Sequence, residues 1–154
     1  ILNTDTIRLL NNHLQTTSVS QNRKKWEREL AADNTRREAQ AVQDAAETLH
    51  ENFVKRAFQT DSICQLATAS PHPVLVCGDF NSLPSSYTYH RLSESLKDGF
   101  KTGGHGYMYT YRYGKRMLRI DYAFHSPELE CIDYYSPNLD LCSDHNPVIF
   151  TVKY

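Results

Sequence analysis

The sequence predicts a mixed α/β (α+β) fold on three observations. Apolar residues recur at three- and four-residue steps from residue 39 to about residue 69, the stripe of a long amphipathic helix. Val74 to Cys77 is an unbroken apolar run fenced by Pro73 and Gly78, the composition of a buried strand. Further short segments between residues 107 and 153 carry strand signatures.

Taken in order, residues 7–14 read as the first strand, with Asn3, Thr4 and Asp5 as a turn ahead of it. Residues 22–32 are charged at most positions, and Trp26 and Leu30 share one helical face. Thr35 and Glu38 have the spacing of a capping box at a helix start. Ala39, Val42, Ala46, Leu49 and Phe53 form the apolar stripe that follows, and Asp61 and Ser62 mark a point where the helix could break. The heptads are too few to favour a coiled coil. Residues 86–98 predict a short helix with Leu92 and Leu96 turned inward. Gly103, Gly104 and Gly106 open a loop. Tyr107, Tyr109, Tyr111 and Tyr113 then alternate with Met108, Thr110 and Arg112, so 107–113 is expected to be a strand. Gly114 and Lys115 would turn it back into a strand over 117–124. Residues 129–135 and 147–153 supply two more strands, and there is no repeat or low-complexity tract.

The chain has 154 residues, enough for one domain with a real core. Its 17 Lys and Arg against 18 Asp and Glu leave no broad basic field, so polyanion binding would have to come from a local patch. No apolar run approaches the roughly 20 residues that cross a bilayer, and no signal peptide is visible. Cys64, Cys77, Cys131 and Cys142 make no CxxC pair, which argues against structural zinc. They read as small buried hydrophobes, with a bond between Cys131 and Cys142 left open.

Four clusters carry chemistry. Gly78-Asp79-Phe80-Asn81 sits at the mouth of the buried strand, where an acid and an amide two residues apart can converge on one bound group. Taken alone, such side chains most often shape a turn. Ser143-Asp144-His145 precedes the last strand, and a His beside an acid can transfer protons or steady a phosphate, though an isolated pair is more often a surface loop. Arg119-Ile120-Asp121-Tyr122 places a carboxylate where it needs a partner, either an imidazole to orient or Arg119 as a surface pair. Asn12-His13-Leu14 ends the first strand.

In this order, with a helix between the first two and an apolar strand closing the series, these motifs resemble the endonuclease/exonuclease/phosphatase (DNase I-like) superfamily. The resemblance runs from Asn12 to Val152 and takes in the 78–86 stretch with Tyr87 behind it, Asp98-Gly99-Phe100 and the glycine-rich run 103–111. It is nearest to bacterial members. It implies a metal-dependent phosphoester hydrolase of phosphodiesterase, nuclease or phosphatase type that uses Mg2+ or Mn2+. By position, Asp79 would orient or deprotonate the attacking water, Asn81 would hold the scissile phosphate, and His13 would stabilise charge developing on the phosphoryl group. His145 would contact a phosphoryl oxygen or transfer a proton, with Asp121 fixing its tautomer. The resemblance implies metal contacts from Asp79, Asp144 and His145. Tyr109 and Arg112, with Tyr107, Tyr111, Lys115 and Arg116, could form a stacking and phosphate-contacting loop, or be ordinary strand residues. Arg112, Lys115, Arg116 and Arg119 form a cationic cluster beside the tyrosine-rich run.

Family members take their principal metal-binding Glu from the N-terminal half of the domain, and neither Glu27 nor Glu29 has a matching context. With Ile1 reading as an internal start, residues 1–154 are expected to be the C-terminal half of one domain, its N-terminal half absent. The expected architecture is half of a four-layer α-β-β-α sandwich, roughly one sheet and its helix. Its exposed apolar face would be covered by the missing half or a symmetry mate, and this half alone would be inactive. The substrate would be nucleic acid or a small phosphoester. Similar bacterial proteins often carry N-terminal membrane segments, so the resemblance suggests a membrane-anchored or extracytoplasmic parent. A catalytically silent binding module is the alternative, against which the intact motifs argue. A helical adaptor built on 35–69 would leave those motifs unexplained.

Overall fold

The computed structural model of the chain describes residues 6–17, 35–113, 117–139 and 142–154, the side chains of 35–38 excepted. The turn at Asn3–Asp5, the helical face of Trp26 and Leu30, the capping box, and the turn at Gly114 and Lys115 lie outside the described residues. The elements run β1 (Arg8–His13), α1 (Thr35–Thr68), β2 (Val74–Asp79), α2 (Tyr87–Ser93), β3 (Lys97–Asp98), α3 (Gly99–Gly103), β4 (Asp121–His125), β5 (Glu130–Tyr135) and β6 (Ile149–Lys153). They form two compact units, one of residues 1–14 and 59–154 and one of residues 15–58.

In the larger unit four strands make a mixed sheet in the order β1-β2-β4-β3. β1 pairs parallel with β2, and β4 runs antiparallel to both β2 and β3. Strand alternation sends Val74 and Val76 of β2 and Tyr122 and Phe124 of β4 to one face. There they bury with Phe80, Tyr89, Leu92, Leu96, and Ile63, Cys64 and Ala67 from the end of α1. Ring pairs within this cluster, such as Phe80–Tyr122 at 5.6 Å and Tyr89–Tyr122 at 5.3 Å, each add about 0.5–1.5 kcal/mol beyond the area they bury. Cys77 and Ala123 point the other way and pack with Cys131, Tyr134 and Phe150 of the β5-β6 sheet. The chain therefore supplies two sheets sharing a core, not the single sheet expected.

In the smaller unit the first part of α1 buries polar side chains. Arg56 is 1% exposed, donates to the Gln15 carbonyl at 2.8 Å and lies 4.7 Å over the Phe53 ring. Asn52, one turn earlier, donates to the Thr17 carbonyl at 3.4 Å. The helix is continuous through Asp61 and Ser62. Its period is as expected but its buried side is not: Ala39, Val42, Ala46 and Phe53 are exposed, while Ala41, Asn52 and Arg56 are buried. Hydrophobicity points to the wrong stripe because bonded polar groups occupy the inner one.

The tyrosine alternation does not make a strand. Within 107–113 only Tyr111 forms ladder bridges, to Leu118 and His145, while Tyr107 and Tyr113 are 70% and 65% exposed. The amides of Thr110 and Tyr111 both donate to the Leu118 carbonyl, at 2.9 and 3.1 Å, where a regular ladder would step along the chain. The returning strand shortens to β4. Ahead of this segment, β3 and α3, two and five residues long, are too short to show periodicity. All four cysteines are free, and Cys142 is exposed, unlike the buried role expected of it.

Asp98 and Arg119 form a buried ion pair in the larger unit. Two N–H···O bonds of 3.1 and 2.8 Å join them, Tyr89 donates a third bond to Asp98 at 2.7 Å, and Phe100 and Tyr122 flank the guanidinium at 4.8 and 4.6 Å. Breaking such a pair strands a buried charge. Arg119→Met is expected to lower the unfolding free energy by about 3–5 kcal/mol, measured by urea denaturation. A loss below about 1 kcal/mol, the value of a surface pair, would show that Asp98 does not depend on Arg119.

Candidate active site

Sheet register builds the site. In the β1-β2 ladder His13 lies opposite Asp79, and in the β2-β4 ladder Asp79 lies opposite Asp121, so three strands contribute one residue each to a single row. Two carboxylates set side by side repel, and a histidine stands on each side of the row. His13 supplies one side, its Nε2 3.6 Å from Asp79 Oδ2. The other side is His145, carried on the 142–148 segment, which backbone bonds from Arg112 to Asp144 (2.8 Å) and from Asn146 to Thr110 (2.7 Å) hold beside the sheet.

His145 Nδ1 is 2.8 Å from Asp121 Oδ2, and its Nε2 is 4.0 Å from Asp79 Oδ2. The Asp121 hydrogen bond is the main reason the imidazole pKa is raised above 6.5; burial opposes it, and the charges of Asp121, Asp79 and Asp144 add to it. Asp79 is raised above the ordinary carboxylate value, first by burial, with the Asn81 amide opposing and Asp121 adding. The Tyr111 ring meets His145 edge-on at 5.2 Å.

Asn81 adopts a left-handed backbone with φ 47°, a conformation Asn tolerates. Its main-chain N–H donates to Asp79 Oδ1 at 2.8 Å, and its side-chain amide donates to Asp79 Oδ2 at 3.1 Å and the Leu14 carbonyl at 3.2 Å. The amide expected to reach toward a phosphate is thus turned onto Asp79. Asp144 is exposed and stands outside the group of Asp79, Asp121 and His145, whose ligand atoms lie within 4.8 Å of one another. Arg112 donates to the Ser143 carbonyl at 2.9 Å, and Tyr109 is half-buried in the same segment. Lys115 and Arg116 lie outside the described residues. Arg119 leaves the expected cationic cluster for its buried pair with Asp98, so it is not the partner of Asp121.

Sequence reading did not single out Asn146. It is 3% exposed, and neither polar atom of its amide has a partner among the described residues. Nothing in its position between His145 and Pro147 announces this. The donor set of the row is oxygen-rich, which suits a hard divalent cation in kind. Asp121 already gives one oxygen to His145, and both Asp79 oxygens accept from Asn81.

Two acids and a histidine thus meet at the mouth of the mixed sheet. The Endonuclease/Exonuclease/phosphatase family matches residues 18–145, and the chain belongs to that family, whose members are hydrolases acting on phosphoesters. Among solved structures it is similar to an endonuclease/exonuclease/phosphatase from Bacteroides vulgatus, at 26% identity and TM-score 0.54, covering 67% of this chain and 44% of that one. Truncated TDP2 from Caenorhabditis elegans is 16% identical with TM-score 0.52, covering 96% of this chain and 55% of its own. A mannosyl-6-phosphatase from Bacteroides thetaiotaomicron VPI-5482 is 22% identical with TM-score 0.50, covering 68% and 46%. The chain spans about half the length of these structures. No curated protein matches it.

Proposed function

We propose that this chain carries part of the active site of a divalent-metal-dependent phosphoester hydrolase. The observation that carries the reading is the His145–Asp121 hydrogen bond with Asp79 opposite, inside a family of phosphoester hydrolases. A carboxylate accepting from Nδ1–H leaves Nε2 as the working nitrogen, facing Asp79. His145 then holds or delivers a proton at the phosphoryl or leaving-group oxygen. Asp79 orients the attacking water and takes its proton, a task helped by a pKa raised through burial. Asn81 fixes both oxygens of Asp79, and exposed His13 at the rim offsets negative charge on the substrate. Asp79 and Asp121 would hold Mg2+ or Mn2+, and the bound ion would supply positive charge against the phosphoryl oxygens.

Two carboxylates, one of them shared with an imidazole, are few donors for an octahedral ion. Residues 1–154 alone are therefore expected to bind Mg2+ or Mn2+ more weakly than micromolar in isothermal titration. Stoichiometric micromolar binding that is lost in Asp79→Ala would overturn this and make the chain sufficient for its metal.

For the substrate we favour a small or terminal phosphoester over long duplex nucleic acid. Net charge is −1, and in the expected cationic cluster Arg119 is buried and Arg112 is tied to Ser143. The mannosyl-6-phosphatase resemblance is compatible with a sugar phosphate. The intact protein would be assayed on bis-p-nitrophenyl phosphate, sugar phosphates and plasmid DNA, with and without Mg2+. Metal-dependent turnover of a small phosphoester at least comparable to plasmid cleavage is expected. Strong plasmid nicking with no small-phosphoester turnover would restore the nuclease reading.

A further inference from the structure

We propose that Thr110 is the positioning residue of the Asp121–His145 pair, holding the backbone on both sides of that hydrogen bond. The proposal rests on reading the pair as the working dyad. Thr110 is 0% exposed in a segment whose neighbours Tyr107 and Tyr113 are largely exposed. Its Oγ1 accepts from the amides of Ile120 and Asp121, at 3.0 and 3.1 Å. Its carbonyl accepts from the amide of Asn146, next to His145, at 2.7 Å, and its own amide donates to Leu118 at 2.9 Å. One side chain and one peptide thus tie together the two segments that carry Asp121 and His145.

The hydroxyl stands where the sheet runs out. β4 pairs with β2 along its whole length, from Asp121 to His125. On its other edge β3 reaches only His125 and Phe124, leaving the Asp121 end of that edge without a strand. Thr110 Oγ1 takes the place of a ladder carbonyl there, using both lone pairs on consecutive amides. Ile120 is fixed from the opposite side as well, its carbonyl accepting from Phe80 at 2.9 Å. On the far side of Thr110 the flanking links repeat the pattern: Tyr111 bridges His145, and the Arg112 amide donates to Asp144 at 2.8 Å. The 2.8 Å contact between His145 and Asp121 is then a consequence of two backbones gauged against one residue. A carboxylate displaced by an ångström no longer selects the Nδ1–H tautomer, and such errors in placement cost rate steeply.

The test uses Thr110→Val, which keeps shape but removes the acceptor, and Thr110→Ser, which keeps the acceptor. The 15N shifts of the His145 ring, read at a pH where the imidazole is neutral, report the tautomer directly. Wild type and Thr110→Ser are expected to show one tautomer, protonated at Nδ1. Thr110→Val is expected to show a mixture, with the amide spectrum of β2 unchanged. In the intact protein kcat on bis-p-nitrophenyl phosphate should fall roughly 100-fold with KM little altered, and Ser should restore it. A folded Thr110→Val with the wild-type tautomer and wild-type kcat would overturn the proposal. If Val fails to fold, Ser decides. Slow exchange of the Ile120 and Asp121 amides with the Nδ1–H tautomer kept supports the role, and a folded Ser variant that loses the tautomer overturns it. A wild type that hydrolyses no phosphoester, yet shows the tautomer pattern across the variants, would refute the enzymatic reading while leaving the positioning role intact.

Discussion

Replacing Asp121 by Asn is expected to lower kcat on a small phosphoester by about four orders of magnitude, while the melting temperature stays within a few degrees of wild type. The Asp121 carboxylate lies 2.8 Å from His145 Nδ1, and Nε2 faces Asp79 at 4.0 Å. An amide of the same shape can offer an N–H instead and hold the ring in the opposite tautomer, a loss that costs this much in a related catalytic arrangement. The change also removes the largest cause of the raised His145 pKa. A raised histidine pKa stabilises the fold most below the unfolded value and loses that benefit as pH climbs through the folded one. Asp121→Asn should therefore bring the His145 titration back toward the ordinary range and make the protein relatively less stable at acid pH. The measurements are steady-state kinetics of the intact protein, an NMR titration and thermal melting. A kcat change under tenfold with unaltered melting would reduce Asp121 to a structural group, and Arg119 could not be its partner, being bonded to Asp98.

Much of this site was legible because strand grammar is local. An apolar run ending in Gly78-Asp79 declares both a buried strand and what stands at its mouth, and β2 is that strand. The pairing of Asp121 with His145, which the family resemblance implies, is found in the geometry. What escaped reading depends on partners far along the chain. Arg119 and Asp121 look like one motif, yet Arg119 turns to Asp98, 21 residues away. The exposed stripe of α1 was misread because Asn52 and Arg56 are bonded inside, and sequence cannot show that a polar group has found its acceptor. Thr110 hid in an alternation that suggested a strand, although its value lies in lone pairs rather than in pattern. Asn81 was expected to face substrate, and its two amide bonds inward become visible only once Leu14 is placed beside it.

Gly78→Ala is expected to abolish folding of the larger unit, a loss of more than about 5 kcal/mol. Gly78 has φ 133°, outside the range L side chains use, where strain alone costs about 1–3 kcal/mol. A Cβ there would overlap the Asn12 carbonyl oxygen and lie 2.8 and 2.9 Å from the Asn12 carbonyl carbon and nitrogen. All three are backbone atoms of β1, held in parallel register with β2, so no flexible side chain can swing away. Relief requires pushing β1 off the sheet, which would carry His13 from Asp79 and the Leu14 carbonyl from Asn81. Gly106→Ala is the control: its φ of 71° is also positive, but nothing lies within 4 Å of the added carbon, so only the strain term applies. Circular dichroism and urea denaturation of the two variants separate overlap from strain. A Gly78→Ala protein that melts with Gly106→Ala would mean that β1 does not sit against β2 in this register, and the row of His13, Asp79 and Asp121 would have to be redrawn.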